Sequence, residues 1–439
     1  MTPLSSKKSN ALSGTTKVPG DKSISHRSLM LGAITVGETI ISGLLEGEDV
    51  LHTAGAMRAM GAKIKKSDDG LWRVFGVGIG GLQEPSEPLE MGNSGTSTRL
   101  LMGLVGGHNI TATFTGDASL SGRPMNRVIK PLETMGITFD ASEGGTLPLT
   151  VKGTPDILPT TYELPVASAQ VKSAILLAGL NARGTTTVIE DKPTRDHTEN
   201  MLRHFGAEVE TTKLPGGRLS VSVNGQQELK PCAVDVPGDP SSAAFPAVAA
   251  AIVPGSEIEL YRIGMNERRN GIFTCLKAMG ADIEFQHETV DAGEKIANII
   301  VRGGALKGIN VPEDLVPSMI DEFPVLAMAA ACANGTTHMS GLAELRVKES
   351  DRLLMVAEGL KACGVDLEMG ENSLTIHGTG KPPKGGATIT TALDHRIAMS
   401  FLVLGCATDG PITIDDGAPI KTSFPNFIEL MNDLGSNIA

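Results

Sequence analysis

Short polar segments precede six apolar stretches that are predicted to be helices, and the residues that could do chemistry are concentrated in them. We call each of these strand-to-helix segments a corner. Two of the six corners carry a cation: Lys22 follows Gly20-Asp21, and Arg396 follows Asp394-His395. Serine, threonine, aspartate and asparagine are ordinary helix caps, and capping alone accounts for most of these residues. A cation there is unfavourable against the helix dipole unless an anion lies beside it, and backbone N–H groups, dipole and cation together favour phosphate. The corners are residues 20–23, 92–96, 166–170, 238–242, 318–322 and 393–396.

Further basic residues follow these corners or lie in the polar loops. In a chain of net charge −12, such a set is expected to line a cleft that concentrates anions, although each alone is equally an ordinary surface charge. If the run 346–352 is helical, Lys348, Glu349 and Arg352 share one face. These residues then form either an exposed series of ion pairs or a site in which a carboxylic acid lies among cations that bind a substrate. The basic set is Arg27, Arg123, Lys172, Arg195, Lys348, Arg352 and Arg396.

The sequence lacks the patterns typical of several other kinds of functional site. In Gly20-Asp21-Lys22-Ser23 an aspartate separates glycine from lysine, and no GxxxxGK[ST] run exists, so a phosphate-binding nucleotide loop is a poor fit. No HExxH or clustered His/Asp pattern indicates a metal. The pairs Asp196-His197 and Asp394-His395 occur without a nucleophile pattern and are interpreted as orienting or structural residues. The negative charge and only three Trp or Tyr residues argue against nucleic acid and anionic membranes.

Compartment is indicated by the cysteines and by the apolar stretches. Five scattered cysteines are expected to be buried reduced thiols. Residues 1–14 are polar, which predicts no secretory signal. The most apolar stretch, 242–253, is shorter than the ~20 residues of a membrane span and is predicted to be a buried helix. We expect a cytoplasmic monomer.

A unit of about 75 residues recurs six times and positions the corners. Each copy is predicted to contain a short strand, a corner, an apolar helix, a strand, an amphipathic helix ending in glycine, and two closing strands. Glycine after a helix is a typical C-cap. The glycines lie 70 to 84 residues apart, at Gly61, Gly136, Gly206, Gly280, Gly364 and Gly435.

Six copies divide naturally into three plus three, and 439 residues are too many for one ordinary core. The sixth copy ends without closing strands, so we expect the N-terminal strand to complete it. The predicted domains are residues 20–235, and residues 1–19 together with 236–439. The two crossings, near Gly20 and Gly238, would form a two-stranded hinge.

Seven motifs in register resemble the 5-enolpyruvylshikimate-3-phosphate (EPSP) synthase family, and the resemblance covers essentially the whole chain. The wording of residues 165–182 and 236–245 resembles the divergent bacterial group that includes glyphosate-insensitive enzymes. The motifs are Lys22-Ser23-Ile-Ser-His-Arg27, Gly92-Asn93-Ser-Gly95-Thr96, Arg123-Pro124-Met125, Ser168-Ala169-Gln170-Val-Lys172-Ser, Thr194-Arg195-Asp196-His197, Arg346-Val-Lys348-Glu349-Ser-Asp-Arg352-Leu and Asp394-His395-Arg396-Ile-Ala-Met.

The resemblance implies an α/β fold: a two-domain inside-out α/β barrel of six βαβαββ repeats, with the active site in the interdomain cleft. It implies transfer of the enolpyruvyl group of phosphoenolpyruvate to the 5-hydroxyl of shikimate 3-phosphate by addition and elimination, without metal or organic cofactor. Fixed cations would offset the charge of the two phosphorylated substrates. Glyphosate would occupy the phosphoenolpyruvate site.

The family's functional residues carry over onto matching positions. Asp321 is expected to take the proton of the 5-hydroxyl, and Glu349 or Lys22 to protonate the methylene carbon. The shikimate 3-phosphate set is Lys22, Ser23, Arg27, Ser168, Ala169, Gln170, Arg195, Asp321 and Lys348. The phosphoenolpyruvate set is Lys22, Gly95, Arg123, Gln170, Arg352 and Arg396.

Departures and rivals remain. Lys421 stands three residues before Phe424-Pro425, where the enteric pattern has a lysine two residues before that pair, so Lys421 is left out. Gly95 leaves space for glyphosate, whereas Leu100 replaces the proline of sensitive enzymes. The sister transferase acting on UDP-N-acetylglucosamine usually carries a cysteine in its flexible loop, and residues 116–123 have none. The other rival is a non-catalytic repeat protein that binds phosphorylated metabolites.

Overall fold

The computed structural model describes residues 2–439 and divides them into two units, each with its own hydrophobic core. The N-terminal unit contains Gly20–Val236 and Asp291–Glu294. The C-terminal unit contains the segment up to Pro19, Pro237–Val290 and Lys295–Ala439. Both are built from copies of the repeated unit, in which an apolar helix is buried against the inner face of a small sheet.

The elements are numbered in chain order. Strands β1 (Leu4–Lys7) and β2 (Ser13–Thr16) come first. The first copy contains α1 (Lys22–Ala33), β3 (Gly37–Ser42), α2 (Glu48–Ala59), β4 (Lys63–Lys66) and β5 (Trp72–Gly76). The second contains β6 (Leu89–Glu90), α3 (Gly95–Gly106), β7 (Thr111–Thr115), α4 (Ala118–Ser121), α5 (Asn126–Glu133), β8 (Thr138–Ser142) and β9 (Thr146–Lys152). The third contains β10 (Thr161–Glu163), α6 (Ala169–Gly179), β11 (Thr185–Glu190), α7 (His197–His204), β12 (Val209–Lys213) and β13 (Leu219–Asn224).

The second half follows the same order after β14 (Ala233–Asp235). The fourth copy contains α8 (Pro240–Ile252), β15 (Glu257–Gly264), α9 (Gly271–Ala278), β16 (Asp282–Asp291) and β17 (Glu294–Arg302). The fifth contains α10 (Val316–Met319), α11 (Phe323–Cys332), β18 (Asn334–Met339), α12 (Arg352–Ala362), β19 (Asp366–Met369) and β20 (Leu374–Thr379). The sixth contains β21 (Thr388–Ile389), α13 (His395–Gly405), β22 (Ile412–Ile414), α14 (Phe427–Asp433) and β23 (Asn437–Ile438). Short 3-10 segments are Pro215–Gly217, Glu313–Leu315, Ile320–Glu322, Ala343–Val347 and Ala418–Thr422.

The sheets share one topology. In the second copy the order is β6-β7-β9-β8, with β6 parallel to β7 and the other pairs antiparallel. Five sheets have four strands, and the sheet of the fifth copy has three, β18-β20-β19, with single bridges from Lys307 and Asn310 in the place of the first strand. Strand β1 lies between β22 and β23 in the sheet of the sixth copy.

Two strands are exchanged between copies. Strand β2 precedes α1 in the chain but pairs in parallel with β15 of the fourth copy. Strand β14 precedes α8 but pairs in parallel with β3 of the first copy. The segments that follow these strands have the same wording, Val18-Pro19-Gly20-Asp21 and Val236-Pro237-Gly238-Asp239. Either segment therefore leads equally well into the next helix, whichever sheet its strand has joined.

The six glycines that end the second helices all have left-handed backbone conformations, with φ between +83° and +104°. A glycine adopts this conformation without the steric cost that a Cβ atom adds, and it closes the last helical turn. The period found in the sequence therefore follows from a backbone requirement repeated in every copy.

Apolar helices form the cores. Every residue of α8 is buried, as the sequence predicts. The segment Glu313–Cys332 is long and apolar enough to cross a membrane by length and composition, but 78% of its apolar window is buried within the fold. Four cysteines are buried and Cys232 is half-buried; all five are free, and burial raises the pKa of Cys275 to about 12.

Replacing Gly364 by alanine tests the helix-ending role. Gly364 has φ +84° and no atom within 4 Å of an added Cβ, so the cost is backbone strain alone. We expect Gly364→Ala to lower the free energy of unfolding by about 1–2 kcal/mol. Gly55→Ala, equally open but inside α2, should be neutral or stabilising by about 0.5–1 kcal/mol. Urea unfolding measures both, and equal stabilities for the two variants would contradict this account.

Candidate active site

The corners do cap the helices. In five of the six apolar helices, a corner side chain accepts a hydrogen bond from a backbone N–H of the first turn. The sixth, α11, begins after two short helical segments, and Glu322 before it makes no side-chain cap. Capping therefore explains the corner aspartates and serines, and the cations beside them require a separate account. The capping residues are Asp21, Ser94, Ser168, Asp239 and Asp394.

One cluster lies in the N-terminal unit at the starts of α3 and α6. The amide of Gln170 bridges the two helices: its Oε1 accepts from Arg99 NH1 at 2.8 Å, and its Nε2 donates to Thr96 Oγ1 at 3.0 Å. A Cβ on Gly95 would lie 3.2 Å from Arg99 NH1 and 3.4 Å from Arg123 NH1. Gly95, Arg123 and Gln170, which belong to one predicted set, are therefore grouped around Arg99. We call this group the Gly95 cluster.

Arg99 was missed by the sequence analysis. It is 7% exposed and lies one turn into α3, where arginine is an unexpected residue in an otherwise apolar helix. An arginine directly before the apolar run Leu100-Leu101-Met102 is the sequence signal that could have identified it, because charged residues are rarely buried. Arg123 is held from the other side, because its NH2 donates to Asn93 Oδ1 at 2.8 Å and to Ser119 Oγ at 2.9 Å.

The first turns of α1 present Lys22, Ser23 and Arg27. Lys22 forms an ion pair with Asp49 of α2. Arg27 is 5% exposed, and its guanidinium donates to Ser23 O at 2.9 Å and to Thr198 Oγ1 at 2.7 Å. Burial lowers the pKa of Arg27 to about 10, which still leaves it charged at neutral pH. Arg27 is thus a buried cation that joins α1 to α7.

Lys172 does not line an anion-binding surface, contrary to the expectation for the basic set. It is fully buried, and its Nζ lies 3.0 Å from Glu190 Oε1 and 2.7 Å from Glu199 Oε1. A buried ammonium needs such paired carboxylates, and these two occupy it. Arg195 and Ser168 are half-buried, with Arg195 two residues before α7 and Ser168 at the cap of α6 beside Ala169.

A second cluster lies in the C-terminal unit around Arg352, which is 1% exposed. Its Nε donates to Asp394 Oδ2 at 2.8 Å, its NH1 to Asp321 Oδ1 at 3.2 Å and its NH2 to Glu349 Oε2 at 2.5 Å. Lys348 Nζ lies 3.2 Å from the same Asp321 oxygen. Both predicted proton-transfer carboxylates of this unit therefore touch one buried guanidinium. We call this group the Arg352 cluster.

Arg396 extends the Arg352 cluster. Its NH1 donates to the backbone oxygen of Asp321 and to Glu322 Oε1, both at 3.1 Å. Glu322 is 1% exposed and also accepts from Ser241 Oγ at 2.5 Å. The cation at this helix start is therefore balanced by a protein carboxylate, as Lys22 is by Asp49.

Residues 346–352 do not form one helix, so the condition for a shared helical face is not met. A 3-10 segment ends at Val347, Lys348 is extended with ψ −150°, and α12 begins only at Arg352. The reason is Asp351, whose Oδ1 accepts from Leu354 N and so caps the helix at that point. Lys348, Glu349 and Arg352 nevertheless come together through Asp321, which lies on another segment.

Asp394, interpreted from the sequence as an orienting or structural residue, contacts both Arg352 and Arg396. It accepts from Arg352, from Ser350 Oγ at 3.0 Å and from the backbone N–H of Arg396 at 2.9 Å. Burial raises the pKa of the Asp394 carboxyl, but the charge and hydrogen bond of Arg352 outweigh that effect, so its pKa lies below the ordinary value. Its ionised form is thus fixed beside Arg352.

Two buried histidines lie next to predicted site residues. Burial and then the charge of Lys22 lower the pKa of His26 to about 3, and its Nδ1 lies 2.8 Å from Thr53 Oγ1. Burial lowers the pKa of His395 to about 4, although Asp394 opposes the shift. Both imidazoles are neutral near pH 7 and add no cation to the site.

The two clusters can do two kinds of chemistry. Each presents guanidinium groups that suit phosphate or carboxylate. The Arg352 cluster also contains carboxylates that are paired with cations, and such carboxylates can accept or donate protons. Within residues 2–439, no group of three or more His, Cys, Asp or Glu side chains is placed to hold a metal ion.

Comparison with known proteins gives concordant results. A profile of the family EPSP synthase (3-phosphoshikimate 1-carboxyvinyltransferase) matches residues 6–431. The 3-phosphoshikimate 1-carboxyvinyltransferase of Paramagnetospirillum magneticum is 59% identical over 437 residues, covering 100% of this chain and 98% of the relative. That of Parvibaculum lavamentivorans is 58% identical and covers 99% and 96%.

Solved structures agree with the sequence relatives. EPSP synthase from Acinetobacter baumannii superposes with a TM-score of 0.90 at 47% identity, covering 100% of both chains. The enolpyruvyl transferase NikO from Streptomyces tendae has a TM-score of 0.75 at 18% identity, covering 100% of this chain and 98% of NikO, and shows a shared fold. The predicted α/β fold class is confirmed.

The buried histidines predict a pH dependence of stability. His26 has a pKa of 6.5 when unfolded and about 3 when folded. Its contribution is therefore complete above pH 6.5 and is lost as the pH falls towards 3, by about 1.4 kcal/mol per pH unit. Urea midpoints between pH 7 and 4 should fall less steeply for His26→Gln than for wild type. Exposed His287→Gln is the control, and identical slopes for all three proteins would contradict the assignment.

Proposed function

The chain belongs to the EPSP synthase family, and we propose that the Gly95 and Arg352 clusters together bind the two substrates of that family's reaction. The enzyme transfers the enolpyruvyl group of phosphoenolpyruvate to the 5-hydroxyl of shikimate 3-phosphate and releases phosphate, a step of aromatic amino acid biosynthesis. The residue assignments below are our proposal. The observation that carries them is the grouping of Gly95, Arg123 and Gln170 at the starts of two buried helices.

Phosphoenolpyruvate is assigned to the guanidinium groups. Arg123, Arg352 and Arg396 supply planar donors that match carboxylate and phosphate oxygens. Gly95, the first residue of α3, has no side chain to fill the space at this helix start, where the helix dipole favours an anion. Gln170 and Lys22 complete this set.

Shikimate 3-phosphate is assigned to the starts of α1 and α6 and the loop before α7. Most of these residues are polar or cationic groups close to a helix start, which favours a phosphate monoester. Lys348 and Asp321, which touch each other at 3.2 Å, are assigned to the ring hydroxyls. The set is Lys22, Ser23, Arg27, Ser168, Ala169, Gln170, Arg195, Asp321 and Lys348.

The reaction needs two proton transfers. Asp321 takes the proton of the attacking 5-hydroxyl, and Glu349 or Lys22 protonates the methylene carbon to form the tetrahedral adduct. In the elimination, a base removes a methyl proton as the C–O bond to phosphate breaks. Support comes from the position of Asp321 and Glu349 on the same guanidinium.

The proposal assigns residues 20–235 to one domain and residues 1–19 with 236–439 to the other, with substrate-binding residues contributed by both. Exclusion of water during the reaction would prevent wasteful hydrolysis of phosphoenolpyruvate. The enzyme is proposed to act as a cytoplasmic monomer, without metal or organic cofactor. Phosphate release with shikimate 3-phosphate, with UDP-N-acetylglucosamine or with neither acceptor tests the choice of substrate directly.

We further propose that the chain lies in the divergent group that includes glyphosate-insensitive enzymes. The support is the wording of residues 165–182 and 236–245 together with Leu100. Gly95, in contrast, leaves room for the inhibitor. Sensitivity in this chain is therefore expected to depend on the space beside Gly95.

Removing either proposed proton-transfer carboxylate should abolish most turnover. We expect Asp321→Asn and Glu349→Gln to lower kcat by about 10²-fold or more, because proton transfer typically contributes that factor. Exposed Glu344, which lies 3.8 Å from Lys348, provides the control Glu344→Gln and should leave kcat within about twofold. Phosphate release measures all three, and an unchanged kcat would remove that residue from the mechanism.

A methyl group at Gly95 should discriminate against glyphosate. It would lie 3.2 Å from Arg99 NH1 and 3.4 Å from Arg123 NH1, so both guanidinium groups must shift by a few tenths of an ångström. We expect Gly95→Ala to raise the inhibition constant of glyphosate at least about tenfold more than the KM for phosphoenolpyruvate. Gly55→Ala is the matched control. Equal loss for both ligands in inhibition assays would refute this prediction.

A further inference from the structure

The hairpin formed by β16 and β17 is shared between the two units. Its strands belong to the C-terminal unit, whereas Asp291–Glu294, which we call the hairpin tip, belongs to the N-terminal unit. Ala292 is 7% exposed and is part of the hydrophobic core of the N-terminal unit, and Glu294 is 2% exposed. The sequence contained no sign of this arrangement.

The turn at the hairpin tip is suited to packing rather than to solvent. Ala292 and Gly293 have φ values of +48° and +80°. Two-residue turns of this kind usually take Asn-Gly or Asp-Gly, because an alanine is strained in the left-handed region. A Cβ on Gly293 would lie 2.9 Å from the backbone oxygen of Asn200 in α7. Only small residues allow the tip to lie this close to α7.

Glu294 joins the hairpin tip to the first turn of α7. Its Oε1 lies 2.8 Å from His197 Nδ1 and accepts from Asn200 Nδ2 at 3.3 Å. His197 is itself 2% exposed. A buried carboxylate is retained only where hydrogen bonds or charges compensate its desolvation, so this contact fixes the start of α7.

The start of α7 in turn holds predicted substrate-binding residues. Thr198 Oγ1 accepts from Arg27 Nε at 2.7 Å and lies 2.7 Å from Ser173 Oγ. Arg195 precedes α7 by two residues. Burial lowers the pKa of Arg27, and the charge of Glu294 is among those that oppose this effect. The carboxylate is thus close enough to act on Arg27 electrostatically as well as through α7.

We propose that Glu294 is a positioning residue for shikimate 3-phosphate: through His197 and the first turn of α7 it holds Arg27 and Arg195 in the geometry that binds the phosphate. This inference rests on the proposed assignment of those two arginines. Because Arg27 and Arg195 are both assigned to shikimate 3-phosphate, we expect the effect of Glu294 on the binding of that substrate and not on the chemical step.

The test uses Glu294→Gln, which keeps the size of the side chain and removes its charge. We expect the Kd for shikimate 3-phosphate, measured by calorimetry with that ligand alone, and its KM to rise about tenfold. The KM for phosphoenolpyruvate and kcat should change less than about twofold. Glu288→Gln, at an exposed position of the same hairpin, is the matched control and should behave as wild type.

A second variant tests the route through His197. If Glu294 acts through that imidazole, His197→Asn should weaken shikimate 3-phosphate binding to a similar extent. The double variant should then bind shikimate 3-phosphate no more weakly than the single variant of lower affinity. Independent, additive losses would overturn the route. Unchanged binding in Glu294→Gln, or a parallel loss of both KM values, kcat and thermal midpoint, would overturn the positioning role.

Arg195→Ala separates this inference from the function on which it rests. If Arg195→Ala weakens shikimate 3-phosphate binding and Glu294→Gln does not, the site assignment stands and the positioning role is wrong. If neither variant alters binding of that ligand, both the assignment of Arg195 and the positioning role are wrong.

Discussion

Burial of Arg352 among three carboxylates is the interaction on which the C-terminal cluster depends. A guanidinium that is 1% exposed cannot be left without counter-charge, because the penalty for an unpaired buried ion is several kcal/mol. Asp394, Asp321 and Glu349 supply that charge. Since the guanidinium is held on several sides before any ligand arrives, its orientation need not be created at the moment of binding. Electrostatic preorganisation of this kind is the main source of stabilisation for charge that develops in a reaction.

Two of the carboxylates paired with Arg352, Asp321 and Glu349, are both its counter-ions and the proposed proton-transfer groups. Asp321 accepts hydrogen bonds from Arg352 and lies on Lys348, so the group proposed to take a proton is also a counter-ion of two cations. If the substrates bind as proposed, an anionic substrate shares these cations with Asp321 and Glu349, and its binding is coupled to proton transfer through the Arg352 guanidinium.

Features that depend on local interactions could be predicted from the sequence, whereas several features that depend on distant contacts could not. The six glycine endings predicted the repeat because each reflects a local backbone requirement, a positive φ. The helix-capping residues could be predicted for the same reason. The exchange of β2 and β14 was not, because parallel pairing between distant strands leaves no local mark and the segments after both strands have the same wording. Charge spacing in the run before Arg352 left a helical face open as one alternative, but the cap at Asp351 starts the helix later.

Burial was the other quantity hidden from the sequence. Lys172 follows a corner and Arg352 follows a polar loop, and both carry positive charge. Glu190 and Glu199 pair with the buried ammonium of Lys172, whereas Asp321 and Glu349, two of the partners of Arg352, are proposed proton-transfer residues. The motif resemblance brought Arg352 into the predicted set and included Asp394, which was interpreted as an orienting or structural residue, but neither resemblance nor spacing identified Arg99. Arg99 contacts Gln170 of another helix, and spacing along one helix does not reveal such a contact.

The fifth copy shows why irregularity within a repeat is informative. In the other five copies a capping side chain starts the apolar helix directly, whereas α11 follows a short helix and the 3-10 segment Ile320–Glu322. That segment lets Asp321 present its carboxylate to Arg352 while its backbone oxygen accepts from Arg396. A regular cap would direct the aspartate side chain to its own helix. The departure from the repeat thus directs towards Arg352 the carboxylate that we propose takes the proton, in keeping with the tendency of functional sites to break the local rules that the rest of a fold obeys.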